Sequence, residues 1–233
     1  SAELIKYASN AFLATKVSFI NEMSLICEAV GADVHALATG MGMDRRIGKK
    51  FLHAGPGFGG SCFPKDTLAL IRIAKDNGVP CKIVEAVVEV NITQKQHMIK
   101  KIRKALGGSE AGKKIAVLGL TFKPDTDDMR DAPSLTILPP LIGKGAIVQV
   151  HDPQGMEQAK SLLPEKVTYI DNVYETFIGA DAVVLMTEWN QYRGLDLDRV
   201  KKLMKGNVFI DLRNVYEREI MVKHGFKYFC VGR

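Results

Sequence analysis

The chain has 233 residues, of which 46% are hydrophobic and 25% are charged, and its formal net charge is +6. These ordinary globular values predict a sizeable packed core in one large or two small domains. No window approaches about eighteen uninterrupted apolar residues, which excludes a membrane-spanning helix, and the N-terminus lacks the pattern of a secretory signal. Because the chain begins in helical sequence, we expect it to be part of a longer protein.

Cysteine and histidine spacing argues against disulfides and metal sites. The four cysteines are far apart and form no C-x-x-C pair, which is typical of a reduced, cytoplasmic protein. The five histidines have no metal-ligand spacing, so no metal is expected. Two Lys-rich runs, residues 100–104 and 201–205, are interpreted as solvated helix faces and not as a nucleic-acid surface. A mild positive field suits an anionic small substrate.

Residues 1 to about 106 show helical periodicity. Apolar residues recur at three- and four-residue steps from Leu4 to Ile26, which predicts one long amphipathic helix. Capping, proline and glycine signals predict three more helices: a short one capped by Asp33 and ending at Met41, and two opened by Pro64 and Pro80 that end near residues 76 and 106.

The second half of the chain alternates short apolar runs with helical stretches. The runs lie at 114–119, 146–150, 167–170, 182–186, 207–211 and 227–230. Near-continuous apolar strands separated by helices predict a doubly wound parallel sheet. We therefore expect an α/β protein with an all-helical central domain at 1–107, joined by a long helix to a Rossmann-like domain at 108–233.

A glycine-rich loop precedes Cys62. Gly55, Gly57 and Gly60 match G-x-G-x-x-G formally, but no strand precedes them, so we reject a dinucleotide-binding interpretation. The glycines instead allow main-chain N–H groups to approach a ligand. Cys62 lies two residues before Pro64, which suits the first turn of a helix, and Lys65 is nearby. Both features favour a reactive thiolate over a buried, inert cysteine.

The segment Gly57-Phe58-Gly59-Gly60-Ser61-Cys62-Phe63-Pro64-Lys65-Asp66 resembles the active-site signature of the UDP-glucose/GDP-mannose dehydrogenase family. Further segments resemble other family motifs in the same order, namely residues 3–7 with Asn10, 16–17, 21–22, 44–48, 51–55, 121–124, 127–130 and 211–214. Residues 61–66 and 187–190 are more similar to the enzymes that act on UDP-glucose than to those that act on GDP-mannose or N-acetylmannosamine.

The resemblance implies a two-step oxidation of a primary alcohol to a carboxylate with two NAD. Cys62 is expected to form a thiohemiacetal and then a thioester, which water hydrolyses. Lys6 and Asn10 share a helix face, and they are expected to hold the substrate, stabilise the oxyanion and position water. Asp66 is expected to assist hydrolysis as a base, although a first-turn acidic residue is also favoured by the helix dipole alone.

The resemblance also implies binding residues. Arg46 is expected to reach a neighbouring subunit's substrate, Lys123 and Arg213 to bind the nucleotide sugar, and Lys65 and Arg130 to touch NAD. Phe122 is either a core residue or a nucleotide neighbour. The sugar site is expected to be formed, largely through main chain, by Phe51, Leu52, His53, Ala54, Gly55 and Gly59.

The implied substrate is UDP-glucose, oxidised to UDP-glucuronate, and the implied assembly is at least a homodimer through the helical half. Gly119-Leu120-Thr121-Phe122 has one glycine where a dinucleotide fingerprint needs three, so the C-terminal domain is expected to take the UDP end. The main NAD site would lie on an N-terminal domain outside this sequence, and the chain alone would be inactive. Two alternatives stay open: another sugar nucleotide such as GDP-mannose, or a non-catalytic module for assembly and UDP-sugar binding.

Overall fold

A computed structural model describes all residues from 1 to 233. The chain forms two compact units: a helical unit of residues 1–95 with 231–233, and a sheet unit of residues 96–230. The division lies inside the long helix α4 (Lys82–Ala105), whereas the sequence placed it after this helix, between 107 and 108. The second half of α4 belongs to the sheet unit because its large apolar residues, Met98 and Ile102, are fully buried there.

The helical unit contains α1 (Ala2–Val30), α2 (Val34–Gly42), α3 (Cys62–Asp76) and the first half of α4. The predicted cap of α2 is confirmed, since the Asp33 carboxylate accepts hydrogen bonds from the amides of His35 and Ala36. Helix α3 begins at Cys62, two residues before the predicted start at Pro64. Pro64 is tolerated because the first amides of a helix have no intrahelical acceptor.

The buried face of α1 is built from small and polar side chains. The helix itself is confirmed, but several of the apolar residues that predicted it are exposed, among them Leu4, Ile5, Phe12 and Ile26. Its buried residues are Ala11, Ala14, Ser18, Ile20, Asn21, Ser24 and Cys27. Small side chains let the packed helix α3 approach closely, which leaves the bulky side chains on the opposite face.

The sheet unit is built on six parallel strands. They are β1 (Lys114–Leu118), β2 (Ile147–His151), β3 (Thr168–Tyr169), β4 (Ala182–Leu185), β5 (Val208–Asp211) and β6 (Lys227–Cys230). Their order is β3-β2-β1-β4-β5-β6, which confirms the predicted doubly wound sheet. Since the direction of strand order reverses between β1 and β4, a crevice forms at their carboxyl ends, where such folds bind ligands.

The remaining helices connect the strands. They are α5 (Pro133–Gly143), α6 (Met156–Lys160), α7 (Asn190–Arg193), α8 (Leu197–Leu203) and α9 (Arg218–Lys223), with a single 3-10 turn at Glu175–Phe177. On one side of the sheet the core is aromatic, and the Phe209 ring meets those of Tyr216 and Phe226 edge-on at 5.6 Å.

Membrane crossing requires a helix that is both long and strongly apolar, and none of the helices here meets both conditions. No group of three or more His, Cys, Asp or Glu side chains is arranged to hold a metal ion.

Candidate active site

Asp66 joins two helices through its carboxylate. Its side chain is fully buried, its Oδ2 accepts a hydrogen bond from Asn10 Nδ2 at 2.6 Å, and its Oδ1 accepts one from Lys65 Nζ at 2.5 Å. Asn10 lies on α1, while Lys65 and Asp66 lie on α3. The structure therefore brings three of the residues singled out from the sequence into one hydrogen-bonded group.

The ionisation of Asp66 is set by opposing effects. Burial alone would raise the pKa of this carboxyl, but the hydrogen bonds from Lys65 and Asn10 and the positive charges of Lys65 and Lys6 lower it below its ordinary value. The pKa of Lys65 is raised, chiefly by its hydrogen bond to Asp66. At neutral pH the group therefore holds a carboxylate and an ammonium, and the carboxylate can accept a proton.

Cys62 is exposed at the first position of α3. Its Sγ lies 3.8 Å from Ser61 Oγ, and Asp66 follows one helical turn later on the same face. Cys27 and Cys230 are buried, and Cys81 is only partly covered. Cys62 is thus the one fully exposed thiol in the chain, and a nucleophile needs that access.

Lys6 is exposed on α1, one turn before Asn10. Its charge contributes to the low pKa of Asp66, so the two side chains interact electrostatically. The Lys65 ammonium also lies 5.8 Å from the centre of the Tyr7 ring on α1. Cationic groups therefore surround the carboxylate from both helices.

The glycine-rich loop is held by side chains from α1 and α4. The Gly55 amide donates to Asn21 Oδ1 and its carbonyl accepts from Gln94 Nε2, both at 2.8 Å. Asn91 binds both main-chain groups of Phe58, at 2.8 and 3.1 Å. The sequence did not single out Asn91 and Gln94 as residues that hold this loop. The feature that could have indicated it is a pair of amide side chains three residues apart, on the otherwise apolar buried face of a helix.

The residues expected to form the sugar site differ in their exposure to solvent. Phe51 and His53 are exposed, whereas Leu52, Ala54, Gly55 and Gly59 are buried. Both main-chain groups of Gly55 are already hydrogen-bonded, but the Gly59 amide is not used in any hydrogen bond within the chain. A cavity of about 310 Å³ lies beside this segment, and its lining residues are His35, Ala38, Thr39, Lys49, Leu52 and His53.

Arg46 projects from the segment between α2 and the glycine-rich loop. Its guanidinium forms hydrogen bonds with Asp44, the shortest at 2.6 Å, and these lower the pKa of that carboxyl. The Arg46 side chain is 89% exposed, so it contacts no other part of the site in this chain. Lys16 of α1 holds the same segment by donating to the Ile47 carbonyl at 2.8 Å.

Arg213 lies at the carboxyl edge of the sheet, just after β5. Its Nε donates to the Met186 carbonyl at 2.8 Å and its Nη2 to the Phe122 carbonyl at 3.0 Å. Its Nε is also 3.0 Å from Glu188 Oε2, and its own amide donates to the Asp211 carboxylate. Arg213 therefore joins the segments that follow β1, β4 and β5, and Nη1 forms no hydrogen bond within the chain.

Three further residues singled out from the sequence lie on the connection that follows β1. Phe122 is partly buried, and the exposed Lys123 has its Nζ 5.4 Å from the centre of the Phe122 ring. Arg130 lies farther along the same connection, where it pairs with Asp128 at 2.8 Å and lowers the pKa of that carboxyl. Lys123 and Arg213 thus both place a positive charge on segments that follow strands at the carboxyl edge of the sheet.

Comparisons with known proteins identify the family of the two units. Residues 1–93 match the central domain of the UDP-glucose/GDP-mannose dehydrogenase family, and residues 116–218 match its UDP binding domain. The chain belongs to the UDP-glucose/GDP-mannose dehydrogenase family. It is 53% identical to UDP-glucose 6-dehydrogenase of Rhizobium meliloti (strain 1021) and 50% identical to UDP-glucose 6-dehydrogenase TuaD of Bacillus subtilis (strain 168), over all 233 residues in each case.

The fold is also similar to that of a solved family member. The structure of a UDP-glucose dehydrogenase from the hyperthermophilic archaeon Pyrobaculum islandicum matches 97% of this chain and 50% of its own, with a TM-score of 0.84 and 39% identity. The chain spans about half the length of the curated relatives that it matches, 53% and 50% of the two named above.

Proposed function

We propose that the protein containing this chain oxidises the C6 alcohol of UDP-glucose to the carboxylate of UDP-glucuronate, with NAD as the oxidant. The observation that carries the proposal is the position of Cys62, an exposed thiol at the start of α3, one turn before a buried, ionised Asp66 that is hydrogen-bonded to Asn10. The 53% identity to a UDP-glucose 6-dehydrogenase supports the choice of sugar.

Cys62 supplies the covalent step. NAD, when bound, accepts a hydride in each of the two oxidations. After the first, Cys62 Sγ bonds to C6 of the aldehyde, and the carbonyl oxygen takes up the electron pair and a proton to give a thiohemiacetal. The second oxidation converts this adduct to a thioester. Water then bonds to C6, the C–S bond breaks, and the thiolate of Cys62 leaves.

The polar side chains near Cys62 stabilise the charge that develops during the reaction and accept the proton that is released. The Asp66 carboxylate is ionised at neutral pH, so it has the lone pairs needed to take the proton from the attacking water. Lys6 and Asn10 stabilise the oxygen that becomes negative at C6 when the thiol or water adds. Lys65 and Arg130 are 61% and 69% exposed, so their charges are accessible to the anionic cofactor, whose main site we place outside residues 1–233.

The sheet unit takes the nucleotide end of the substrate. Lys123 and Arg213 lie at the carboxyl edge of the strands, and their charges suit the two phosphates. Arg213 is already fixed by two main-chain carbonyls, so little side-chain freedom is lost on binding. Phe122, whose carbonyl orients Arg213, borders the same position.

We also propose a homodimer through α1. Ile5, Phe12, Phe19 and Ile26 follow one another at seven-residue steps, and each is 41–67% exposed. Residues seven apart lie on nearly the same face of a helix, so the chain presents an apolar stripe that a second copy can cover. Arg46, although paired with Asp44, has an 89% exposed side chain and is accessible to the substrate of a neighbouring subunit. None of the four cysteines forms a disulfide, and thiols stay reduced in a cytoplasmic location.

The test compares the complete protein with residues 1–233. The complete protein should produce NADH from UDP-glucose and NAD, and Cys62→Ala should abolish it. Residues 1–233 alone should bind UDP and UDP-glucose, measured by isothermal titration calorimetry, without turnover. Preference of the complete protein for GDP-mannose in the same titration would overturn the choice of substrate.

A further inference from the structure

The loop of residues 119–123, which follows β1 and carries Phe122 and Lys123, has almost all of its main chain hydrogen-bonded. The amides of Leu120 and Thr121 donate to Asp152 Oδ2, at 2.6 and 3.2 Å. The Leu120 carbonyl accepts from Ser134 Oγ, and the Thr121 carbonyl accepts from Thr187 Oγ1 at 2.6 Å. The conformation of this loop is therefore set by side chains outside it.

Asp152 is the centre of these contacts. It follows β2, it is 1% exposed, and its Oδ2 also accepts from Thr121 Oγ1 at 3.3 Å and from the indole Nε1 of Trp189 at 3.2 Å. Its Oδ1 accepts from the amides of Gln154 and Gly155, at 3.0 and 2.7 Å. One side chain thus joins the segments that follow β1, β2 and β4, and the two oxygens of a carboxylate can accept several hydrogen bonds each.

The backbone around Asp152 is packed so closely that it has no room for side chains at two glycine positions. A Cβ added to Gly155 would lie 2.5 Å from Thr121 Cγ2, and one added to Gly119 would lie 2.4 Å from Thr187 Cβ. Gly119 also has a φ of +87°, which glycine adopts without strain. The loop therefore has little freedom to move toward or away from a ligand.

Asp152 also explains how this fold differs from a dinucleotide-binding one. In such folds the N–H groups after the first strand face the pyrophosphate of the ligand, at the start of a helix. Here the amides of Leu120 and Thr121 face the Asp152 carboxylate instead, and α5 begins only at Pro133. A ligand phosphate at this edge therefore meets the side chains of Lys123 and Arg213, which extend beyond the loop.

We propose that Asp152, together with Thr187, is a positioning residue for the nucleotide end of the substrate. It holds the 119–123 loop so that Lys123 is presented at the crevice and the Phe122 carbonyl fixes Arg213. This inference rests on the proposed function, because it requires that the nucleotide bind at this edge of the sheet.

The test titrates UDP into residues 1–233 and into three variants by calorimetry, below the melting temperature of each. Asp152→Asn keeps the side-chain shape but sets an amide N–H₂ against backbone donors, and it should weaken UDP binding about tenfold to a hundredfold. Thr187→Val removes one hydroxyl and should weaken it about threefold to tenfold. Glu110→Gln removes a buried carboxylate that precedes β1, at the opposite edge of the sheet, and should leave UDP affinity unchanged.

The outcomes separate the inference from the proposed function. If the unmodified chain does not bind UDP, the proposed function is overturned and this inference falls with it. If it binds UDP and folded Asp152→Asn binds equally well, only the inference is overturned. Should Asp152→Asn not fold, Thr187→Val decides: reduced affinity supports the inference, and unchanged affinity contradicts it. In the complete protein, Thr187→Val should raise the KM for UDP-glucose with kcat nearly unchanged.

Discussion

Asn10 Nδ2 donates a 2.6 Å hydrogen bond to Asp66 Oδ2, which connects α1 to α3 across 56 residues of sequence. The bond does two things at once. It satisfies a fully buried carboxylate, and it places Asn10 beside the helix turn that begins with Cys62. Because Asn10 and Asp66 are far apart in the sequence, the candidate site depends on the packing of these two helices.

Replacing Asp66 should slow catalysis more than it weakens substrate binding. Asp66→Asn keeps the size of the side chain but cannot accept the proton of the attacking water, so kcat of the complete protein should fall about a hundredfold or more. The KM for UDP-glucose should change little. Asp76→Asn, at the exposed end of the same helix, is the matched control. Steady-state NADH formation measures both, and equal kcat values for the two variants would contradict the role given to Asp66.

Alkylation should distinguish Cys62 from the other cysteines. Iodoacetamide followed by mass spectrometry should label Cys62 first in the folded chain, because it is exposed, while the buried Cys27 and Cys230 stay unlabelled. Its alkylation rate at neutral pH should exceed that of free cysteine, because a catalytic nucleophile is more reactive than an unperturbed thiol. A rate no faster than free cysteine would instead favour a non-catalytic UDP-sugar-binding module.

In the complete protein, the same thiol should be required for acid formation. Cys62→Ala should abolish it, whereas Cys27→Ala, which empties a buried position on α1, should retain it at temperatures where the protein is folded. The formation of UDP-glucuronate is measured directly. If the two variants lost activity equally, Cys62 would not be the nucleophile.

A lysine at position 213 should not bind the nucleotide as well as Arg213 does. The guanidinium uses Nε and Nη2 to bind two main-chain carbonyls at once, and lysine has a single ammonium that cannot do this and also bind phosphate. Arg213→Lys should weaken UDP binding about tenfold to a hundredfold. Arg199→Lys is the control, because Arg199 lies in α8 and its guanidinium stacks on the ring of Tyr174. Titration calorimetry measures both, and wild-type affinity in Arg213→Lys would contradict the assignment.

Glu110 should contribute stability that is lost in acid. Arg103 donates hydrogen bonds of 2.7–3.1 Å to this carboxylate and lowers its pKa from the ordinary value of 4.5. A lowered pKa means that the stabilisation is complete above the unfolded-state pKa and disappears as pH falls through the folded-state pKa. Glu110→Gln should therefore lower Tm by about 2–5 °C at pH 7, and this difference should shrink below about pH 4.

The control for this prediction is an exposed carboxylate. Glu157 pairs with Lys160 on the surface, and Glu157→Gln should leave Tm almost unchanged at either pH. Thermal unfolding followed by circular dichroism at pH 7 and pH 3.5 gives the comparison. A constant difference between Glu110→Gln and wild type across this range would show that the carboxylate is not ionised in the way described.

A charge on the exposed face of α1 should disrupt self-association. Phe12→Asp places a carboxylate in the middle of the apolar stripe, where covering it would require burying an unpaired charge. Sedimentation velocity should then show a monomer, whereas Ile220→Asp, at an exposed apolar position of α9 outside this stripe, should leave the dimer intact. A monomer in the unmodified protein would refute the proposed dimer.

The sequence by itself determined the six strands, the four helices of the first half and the choice of Cys62 as the candidate nucleophile. Strands and helices were predictable because apolar periodicity and capping residues act locally, as at Asp33 and in residues 227–230. The resemblance to the family also singled out Asp66, Asn10 and Arg213 as candidates, because sequence motifs are a property of the chain alone.

Tertiary structure alone decided which face of α1 is buried and what holds the site in place. Periodicity marks a helix, but whether Phe12 or Ala11 is covered depends on how closely α3 packs. Likewise, in the sequence Asp152 is only an acidic residue that follows a strand. In the folded chain, six hydrogen-bond donors from three segments surround its carboxylate. Such contacts join distant parts of the chain, and no local pattern encodes them, because their energy arises only when the donors and acceptors are buried together.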